Sequence, residues 1–216
     1  MLDLSKIEAG KQELNLQPVE LAHFPKFVRR LFEAAAAQRG ITLVTELAAD
    51  LPQEIVTDRQ RVERVLVNLI GNALKFTERG TIALRVGRPE GELAGVVPAP
   101  AVMLSVSDTG RGIPQAARER VFSPFEQVAG GNEKPVGTGL GLSIARESAR
   151  LLGGDLVLAE SSEHGSVFAC LLPELAAPTN ASLRTPRKVD DDSSTLAAGE
   201  PHLLIIEDDP VLAERL

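Results

Sequence analysis

The organisation of this chain follows from a stretch that reads NLIGNALKFT, from Asn68 to Thr77. Asn68, Asn72 and Lys75 are spaced i, i+4 and i+7, which places them on one face of a helix. The apolar residues of that helix fall on the opposite face: Val62, Val65, Leu66, Leu69, Ile70 and Ala73. Two carboxamides offer oxygen ligands to a hard cation such as Mg²⁺, and the lysine offers positive charge to phosphate. Taken alone, the pattern fits a solvated polar stripe equally well.

Two glycine-containing motifs follow. The first reads DTGRGI from Asp108, directly after a predicted strand, Val102–Val106. A carboxylate there can accept a hydrogen bond from an exocyclic amine, and the glycines let the backbone approach a flat ring. The second reads GTGLGL from Gly137 and opens a predicted helix, Thr138–Leu152, whose N-terminus favours an anion. The ordinary alternatives are an Asp-Gly turn and a flexible loop.

A further motif, FSPFEQ from Phe122 to Gln127, lies between the two glycine motifs. Its aromatic residues predict an anchor for one end of a mobile lid, or a plain hydrophobic anchor under a loop.

The remaining pattern mixes helices with strands. We predict a helix from Phe24 to Gln38 and a helix that Asp58 caps and that runs to about Phe76. Predicted strands and loops complete the list: strands Ile41–Leu47, Thr81–Val86, Leu156–Ala159 and Val167–Leu172, and a hairpin loop at 88–100. The economical arrangement is an α/β (α+β) two-layer sandwich, with a mixed, mostly antiparallel sheet and helices on one face.

In this order and at these spacings, the four motifs resemble those of the catalytic ATP-binding domain of sensor histidine kinases. That domain belongs to the Bergerat-fold ATPase superfamily shared with gyrase and the Hsp90 chaperones. The resemblance runs from about residue 19 to residue 173, and Gly165-Ser-Val-Phe168 resembles the last motif of the family.

The resemblance implies a role for each matching residue. Asn68, Asn72 and Lys75 would hold Mg²⁺ and the ATP phosphates, while Asp108 would read the adenine amino group. Gly110, Gly112 and Ile113 would admit the base. A lid would run from about Ile113 to Gly137, with Lys134 reaching the γ-phosphate. The residues that would line the phosphates are Gly137, Thr138, Gly139, Leu140 and Gly141.

The resemblance also implies slow ATP hydrolysis. ATP-hydrolysing relatives carry a glutamate where Asn68 stands, and an amide cannot act as that base. ATP would therefore be kept for transfer to a histidine on a helical hairpin. None of His23, His164 and His202 has the expected surroundings of that acceptor, so the chain alone is not expected to autophosphorylate.

The expected domain limits follow from these motifs and from composition. Residues 1–18 would end the dimerisation and phosphoacceptor hairpin, 19–173 would form the catalytic domain, and 174–201 would be a flexible linker. Residues 202–216 would begin a receiver domain, with Glu207 and Asp208 as its acidic Mg²⁺-binding pair. The parent would then be a hybrid kinase that passes phosphate to an aspartate, and a homodimer.

Composition excludes several other classes. A net charge of −7 argues against nucleic acid as a partner. No apolar stretch is long enough to span a bilayer, so we expect a cytoplasmic location without membrane contact by this chain, although its parent could be anchored to a membrane. Two alternatives remain open: a nucleotide-gated protein-binding module, and a serine kinase of the anti-sigma type on the same fold.

Overall fold

The computed structural model describes residues 14–126 and 138–176, all within the first of two compact units, which ends at Ser182. Several predictions lie outside these ranges: the hairpin end at 1–13, Lys134, Gly137, most of the linker, and the acidic pair Glu207 and Asp208. The described elements are, in chain order, β1 Gln17–Glu20, α1 His23–Gln38, β2 Ile41–Leu47, β3 Glu54–Thr57, α2 Arg59–Phe76, β4 Gly80–Gly87, β5 Ala101–Asp108, α3 Gly141–Leu151, β6 Asp155–Ser162 and β7 Gly165–Pro173.

Five strands form one sheet in the order β2-β4-β5-β7-β6. Strands β2 and β4 run parallel, and every other neighbouring pair is antiparallel. The prediction of a mixed, mostly antiparallel sheet is therefore confirmed.

The three helices and one face of the sheet enclose the main core. Residues of β4 and β5 with exposures of 2% or less face that core: Ile82, Leu84, Val86, Val102, Leu104 and Val106. A smaller apolar cluster on the other face joins Val97 to Ala101 and Leu171. The loop at 88–100, which contains a 3-10 turn at Gly91–Gly95, thus covers part of the face that the helices leave open.

Helix α2 forms as its sequence predicts. The carboxylate of Asp58 accepts a hydrogen bond of 3.2 Å from the backbone N–H of Arg61, which satisfies a donor that the first helical turn leaves unpaired. The second carboxylate oxygen accepts from the backbone N–H of Asn15 at 3.1 Å. The same cap therefore ties the beginning of the described chain to this helix.

The predicted start of helix α3 was wrong by three residues. The helix begins at Gly141 instead of Thr138, because Gly139 has a φ of +73°, which lies outside the right-handed helical region. Thr138, Gly139 and Leu140 precede the helix. Of the residues predicted to line the phosphates, Gly141 is the one that belongs to its first turn.

The sequence pattern missed a second, two-stranded sheet. Strand β1 pairs with β3 in antiparallel register, and Leu175 forms an isolated bridge with Val56 of β3. The folded body therefore includes residues on both sides of the range 19–173.

Candidate functional site

Asp108 is the last residue of β5, the central strand of the five-stranded sheet. The carboxylate accepts a 2.8 Å hydrogen bond from the backbone N–H of Gly110 and another from the backbone N–H of Ser166. Burial raises the pKa of this carboxyl, and the two hydrogen bonds oppose that rise without cancelling it. The result is a half-buried acceptor that is held in place from two sides.

The glycines after Asp108 are required by close backbone approaches. A Cβ on Gly110 would lie 2.5 Å from the carbonyl oxygen of Phe76, at the end of α2. Gly112 has a φ of +66°, and a Cβ there would lie 1.6 Å from the carbonyl oxygen of Ser162. The backbone N–H of Ile113 then donates to the hydroxyl of Ser161 at 2.8 Å. The motif is thus held between helix α2 and the β6–β7 turn.

The polar face of α2 carries Asn68, Asn72 and Lys75 as predicted. Both asparagines are half-buried, whereas Lys75 is exposed. The Asn68 Nδ2 donates to the carbonyl oxygen of Arg64 at 3.1 Å. The Asn68 Oδ1 faces the other way, towards Gly141, where an added Cβ would lie 3.0 Å from it. The structure therefore brings the start of α3 against the first asparagine of the motif.

Two cations lie near one aromatic ring at the end of α2. The Lys75 Nζ lies 4.5 Å and the Arg111 Cζ 5.1 Å from the centre of the Phe76 ring. Partial burial, followed by the nearby charge of Arg111, lowers the pKa of Lys75. Sequence reasoning did not assign a role to Phe76 or Arg111, although both lie inside the motifs it singled out.

Ser166 is a further residue that sequence reasoning missed. It is 4% exposed, its backbone N–H reaches Asp108, and its hydroxyl lies 3.0 Å from that of Ser161. The motif Gly165-Ser-Val-Phe168 was recognised in the sequence, but only strand pairing shows that Ser166 lies directly opposite Asp108.

The described residues contain no cluster of the charged, imidazole or thiolate side chains that most often bind metal ions. Within residues 14–126 and 138–176, no three His, Cys, Asp or Glu side chains are grouped so that they could hold a metal ion. His23 instead contacts Glu63 at 2.6 Å and packs against Phe27, while His164 is exposed in the β6–β7 turn. The amide oxygens of Asn68 and Asn72 remain the candidate donors for a hard cation.

A comparison with known families decides what kind of domain this is. Residues 57–176 match the family described as histidine kinase-, DNA gyrase B-, and HSP90-like ATPase. The chain belongs to this family. The curated relatives of this ATPase domain include sensor proteins, and its fold neighbours include histidine kinase catalytic domains.

The relatives are much longer than this ATPase domain. The virulence sensor protein BvgS of Bordetella bronchiseptica is 36% identical over 219 residues, which cover 95% of this chain and 17% of BvgS. The aerobic respiration control sensor protein ArcB of Escherichia coli is 32% identical over 212 residues, 96% of this chain and 25% of ArcB. The chain therefore spans a quarter or less of the length of these two relatives.

Solved structures share the fold of the ATPase domain. The catalytic domain of histidine kinase ThkA is 30% identical with a TM-score of 0.61, over 75% of this chain and 97% of that one. Full-length ShkA, in complex with AMPPNP, is 31% identical with a TM-score of 0.65, over 80% of this chain and 33% of that one. These matches confirm the predicted histidine kinase type of catalytic domain.

A surface cavity of about 470 Å³ lies apart from the candidate nucleotide site. Its lining includes Phe122, Arg146 and Leu158, and none of the residues predicted to contact nucleotide takes part. Among the helices of the described part of the chain, none is long and apolar enough to cross a membrane.

Proposed function

We propose that this domain binds Mg²⁺-ATP along α2 and delivers the γ-phosphate to a histidine on a helical hairpin domain of its parent protein. One observation carries the proposal: helix α2 meets the Asp108–Gly112 motif at its C-terminal end and the start of α3 at Asn68. The carboxylate that would read the base and the helix start that would favour the phosphates therefore approach the same helix.

The base would bind at the end of β5. The Asp108 carboxylate would accept from the exocyclic amine of adenine, a donor that guanine lacks at this position. The tight passage at Gly110 and Gly112, with Ile113 fastened to Ser161, fixes the backbone around that carboxylate. Selectivity would follow because an unpaired buried acceptor is costly.

The phosphates and the cation would bind between α2 and α3. The oxygens of Asn68 and Asn72 are hard donors that suit Mg²⁺, which would neutralise charge on the phosphates. Lys75 adds a positive charge, and the approach to α3 at Thr138, Gly139 and Leu140 leads to a helix N-terminus at Gly141. The resemblance adds Gly137 and Lys134, which lie outside the described residues.

The side chain of Asn68 would favour phosphate transfer over hydrolysis of ATP. A carboxamide cannot take a proton from water at neutral pH, so hydrolysis is expected to be slow. ATP is then available for transfer to a positioned imidazole. In the parent, the hairpin would supply that imidazole within a homodimer, and a receiver domain beginning near Glu207 and Asp208 would take the phosphate on an aspartate. We place this domain in the cytoplasm.

The direct test is transfer in trans. The chain is mixed with γ-labelled ATP, Mg²⁺ and a separately produced histidine hairpin domain of a hybrid sensor kinase. We expect acid-labile label on the hairpin, none on the chain, and none when the acceptor histidine is replaced by glutamine.

The alternatives give different results in the same experiment. A nucleotide-gated binding module would bind ATP but label no hairpin. A serine kinase would place acid-stable label on a hydroxyl of its partner.

A further inference from the structure

Arg146 joins helix α3 to two other segments of the domain. Its Nε and Nη2 donate to the two carboxylate oxygens of Asp155, at 2.9 Å and 3.2 Å. This two-point pairing fixes the plane of the guanidinium group as well as its position. Asp155 is the first residue of β6 and also accepts from the backbone N–H of Leu156 at 2.8 Å.

The same guanidinium group packs on an aromatic ring from another segment. The Arg146 Cζ lies 4.7 Å from the centre of the Phe122 ring, a distance typical of a cation–π contact. Phe122 ends the 3-10 turn Arg120–Phe122, and its ring meets that of Phe168 edge-on at 6.1 Å. Arg146 is therefore held between β6 and the segment that leads out of the Asp108 motif.

This contact has a consequence at the other end of the helix. Gly141, the first residue of α3, lies so close to Asn68 that an added Cβ would be 3.0 Å from the Asn68 Oδ1. Arg146 is five positions further along the same helix, about 7.5 Å along its axis. A rotation or shift of α3 that released Arg146 would change the gap between Gly141 and Asn68 directly.

We propose that Arg146 is a positioning residue for the phosphate side of the nucleotide site, because it holds α3 between Asp155 and Phe122 and so holds Gly141 against Asn68. The inference rests on the proposed function, in which Asn68 and the start of α3 contact the phosphates. It assigns no contact between Arg146 and the nucleotide.

Arg150 offers a matched control on the same helix. It lies one turn further on and also contacts Asp155, at 3.3 Å. Its side chain is 52% exposed, compared with 29% for Arg146, and it is absent from the ring contact with Phe122. Replacing either arginine by methionine removes one positive charge and the pairing of that arginine with Asp155. Only Arg146→Met also removes the two-point geometry and the link to Phe122.

The test compares ATP with adenosine, which has no phosphate, on the full chain. ATP is titrated by calorimetry with Mg²⁺, and adenosine by NMR. We expect Arg146→Met to weaken ATP binding about tenfold and adenosine binding less than about twofold. Arg150→Met should change both affinities less than about twofold. Phe122→Leu, which removes the ring face, should reproduce the selective loss of ATP affinity.

A general loosening of the fold would give another pattern. Equal losses for ATP and adenosine in Arg146→Met, or equal effects of the two arginine substitutions, would overturn the proposal. If Arg146→Met does not fold, Arg146→Lys keeps the charge but loses the two-point pairing, and the same selective loss is expected at about threefold. Failure of the unaltered chain to bind ATP would instead contradict the proposed function.

Discussion

Asp108 combines two properties. Backbone N–H groups hold it in a fixed place, yet burial raises its pKa above the ordinary value. The ionised form is therefore the form that the fold disfavours and the form that accepts best from adenine. As the pH is lowered, nucleotide affinity should therefore fall, whereas the contribution of Asp108 to stability should rise.

The affinity for ADP should fall as the pH is lowered from about 7 to about 4, beginning at a higher pH than an ordinary aspartate would give. Asp108→Asn should bind weakly and show much less dependence on pH. Calorimetric titration across this range measures both. An affinity of the unaltered chain that stays constant down to about pH 4 would contradict the role of Asp108.

Stability changes in the opposite direction. Because the folded-state pKa of Asp108 is raised, its contribution to stability is fully present below the unfolded-state pKa and is lost as the pH rises through the folded-state pKa. At neutral pH, Asp108→Asn should therefore not be less stable than the unaltered chain in urea unfolding. Loss of binding in this variant then reports on recognition of the base.

Gly110 gives a steric prediction at the same motif. A Cβ there meets backbone atoms of Phe76, which cannot move without moving the end of α2. We expect Gly110→Ala to lower the free energy of unfolding by about 1–3 kcal/mol and to weaken ADP binding. Gly95→Ala, where an added Cβ meets nothing within 4 Å, is the control and should leave both quantities nearly unchanged.

At the scale of elements, Asp155 shows how α3 and β6 are held together. Burial raises its pKa, but the hydrogen bonds from Arg146, Leu156 and Arg150 outweigh burial and leave the pKa below the ordinary value. Its contribution to stability is then present above the unfolded-state pKa and is lost as the pH falls through the folded-state pKa.

Asp155→Asn should therefore lower the free energy of unfolding at neutral pH by about 1–3 kcal/mol and flatten its decline in acid. Urea unfolding from about pH 7 to about pH 3 measures this. An unchanged acid slope in the variant would show that the ion pair with Arg146 contributes no pH-dependent stability.

Some helices and strands could be predicted from the sequence, and others could not. Helix α2 follows from its apolar spacing, and all the residues predicted to face inward are buried. Helix α1 and strand β2 also follow from their apolar spacing, but Leu31 and Leu47, which share that spacing, are 50% and 44% exposed. Strands β1 and β3 have only four residues each, and their pairing joins segments about forty positions apart, so local pattern does not reveal them. The start of α3 was misplaced because Gly139 has a φ of +73°, and the sequence pattern did not reveal this conformation.

For the candidate site, the sequence predicts residues but not the contacts between them. Ordered motifs pointed to Asn68, Asp108 and the glycines. The approach of Gly141 to Asn68 and of Ser166 to Asp108 depends on how α3 and β7 pack. Such distances come from tertiary structure alone.

At the scale of the whole molecule, residues 174–176 belong to the folded domain by their contacts. The backbone N–H of Val56 donates to the carbonyl oxygen of Glu174 at 2.8 Å, and the backbone N–H of Ala176 donates to the carbonyl oxygen of Val56 at 2.9 Å. The Glu174 side chain also pairs with Arg88. These contacts tie the last described residues to β3 and to the loop after β4.

A chain shortened to end at Pro173 should lose about 2–3 kcal/mol of unfolding free energy, whereas one ending at Ala176 should lose much less. Urea unfolding of the two shortened chains beside the full chain measures the difference. Equal stability of the two would place the functional end of the domain at residue 173, as the sequence pattern predicts.

The domain as a whole is expected to bind ATP in preference to GTP, and calorimetry measures both affinities. The full chain is titrated by calorimetry with ATP and with GTP, with and without Mg²⁺, beside Asp108→Asn. We predict that ATP binds, that Mg²⁺ strengthens this binding, and that GTP binds at least about tenfold more weakly. We also predict that Asp108→Asn removes most of the preference for ATP. Equal binding of ATP and GTP, or no binding of ATP to folded protein, would contradict the site assigned to α2, Asp108 and the start of α3.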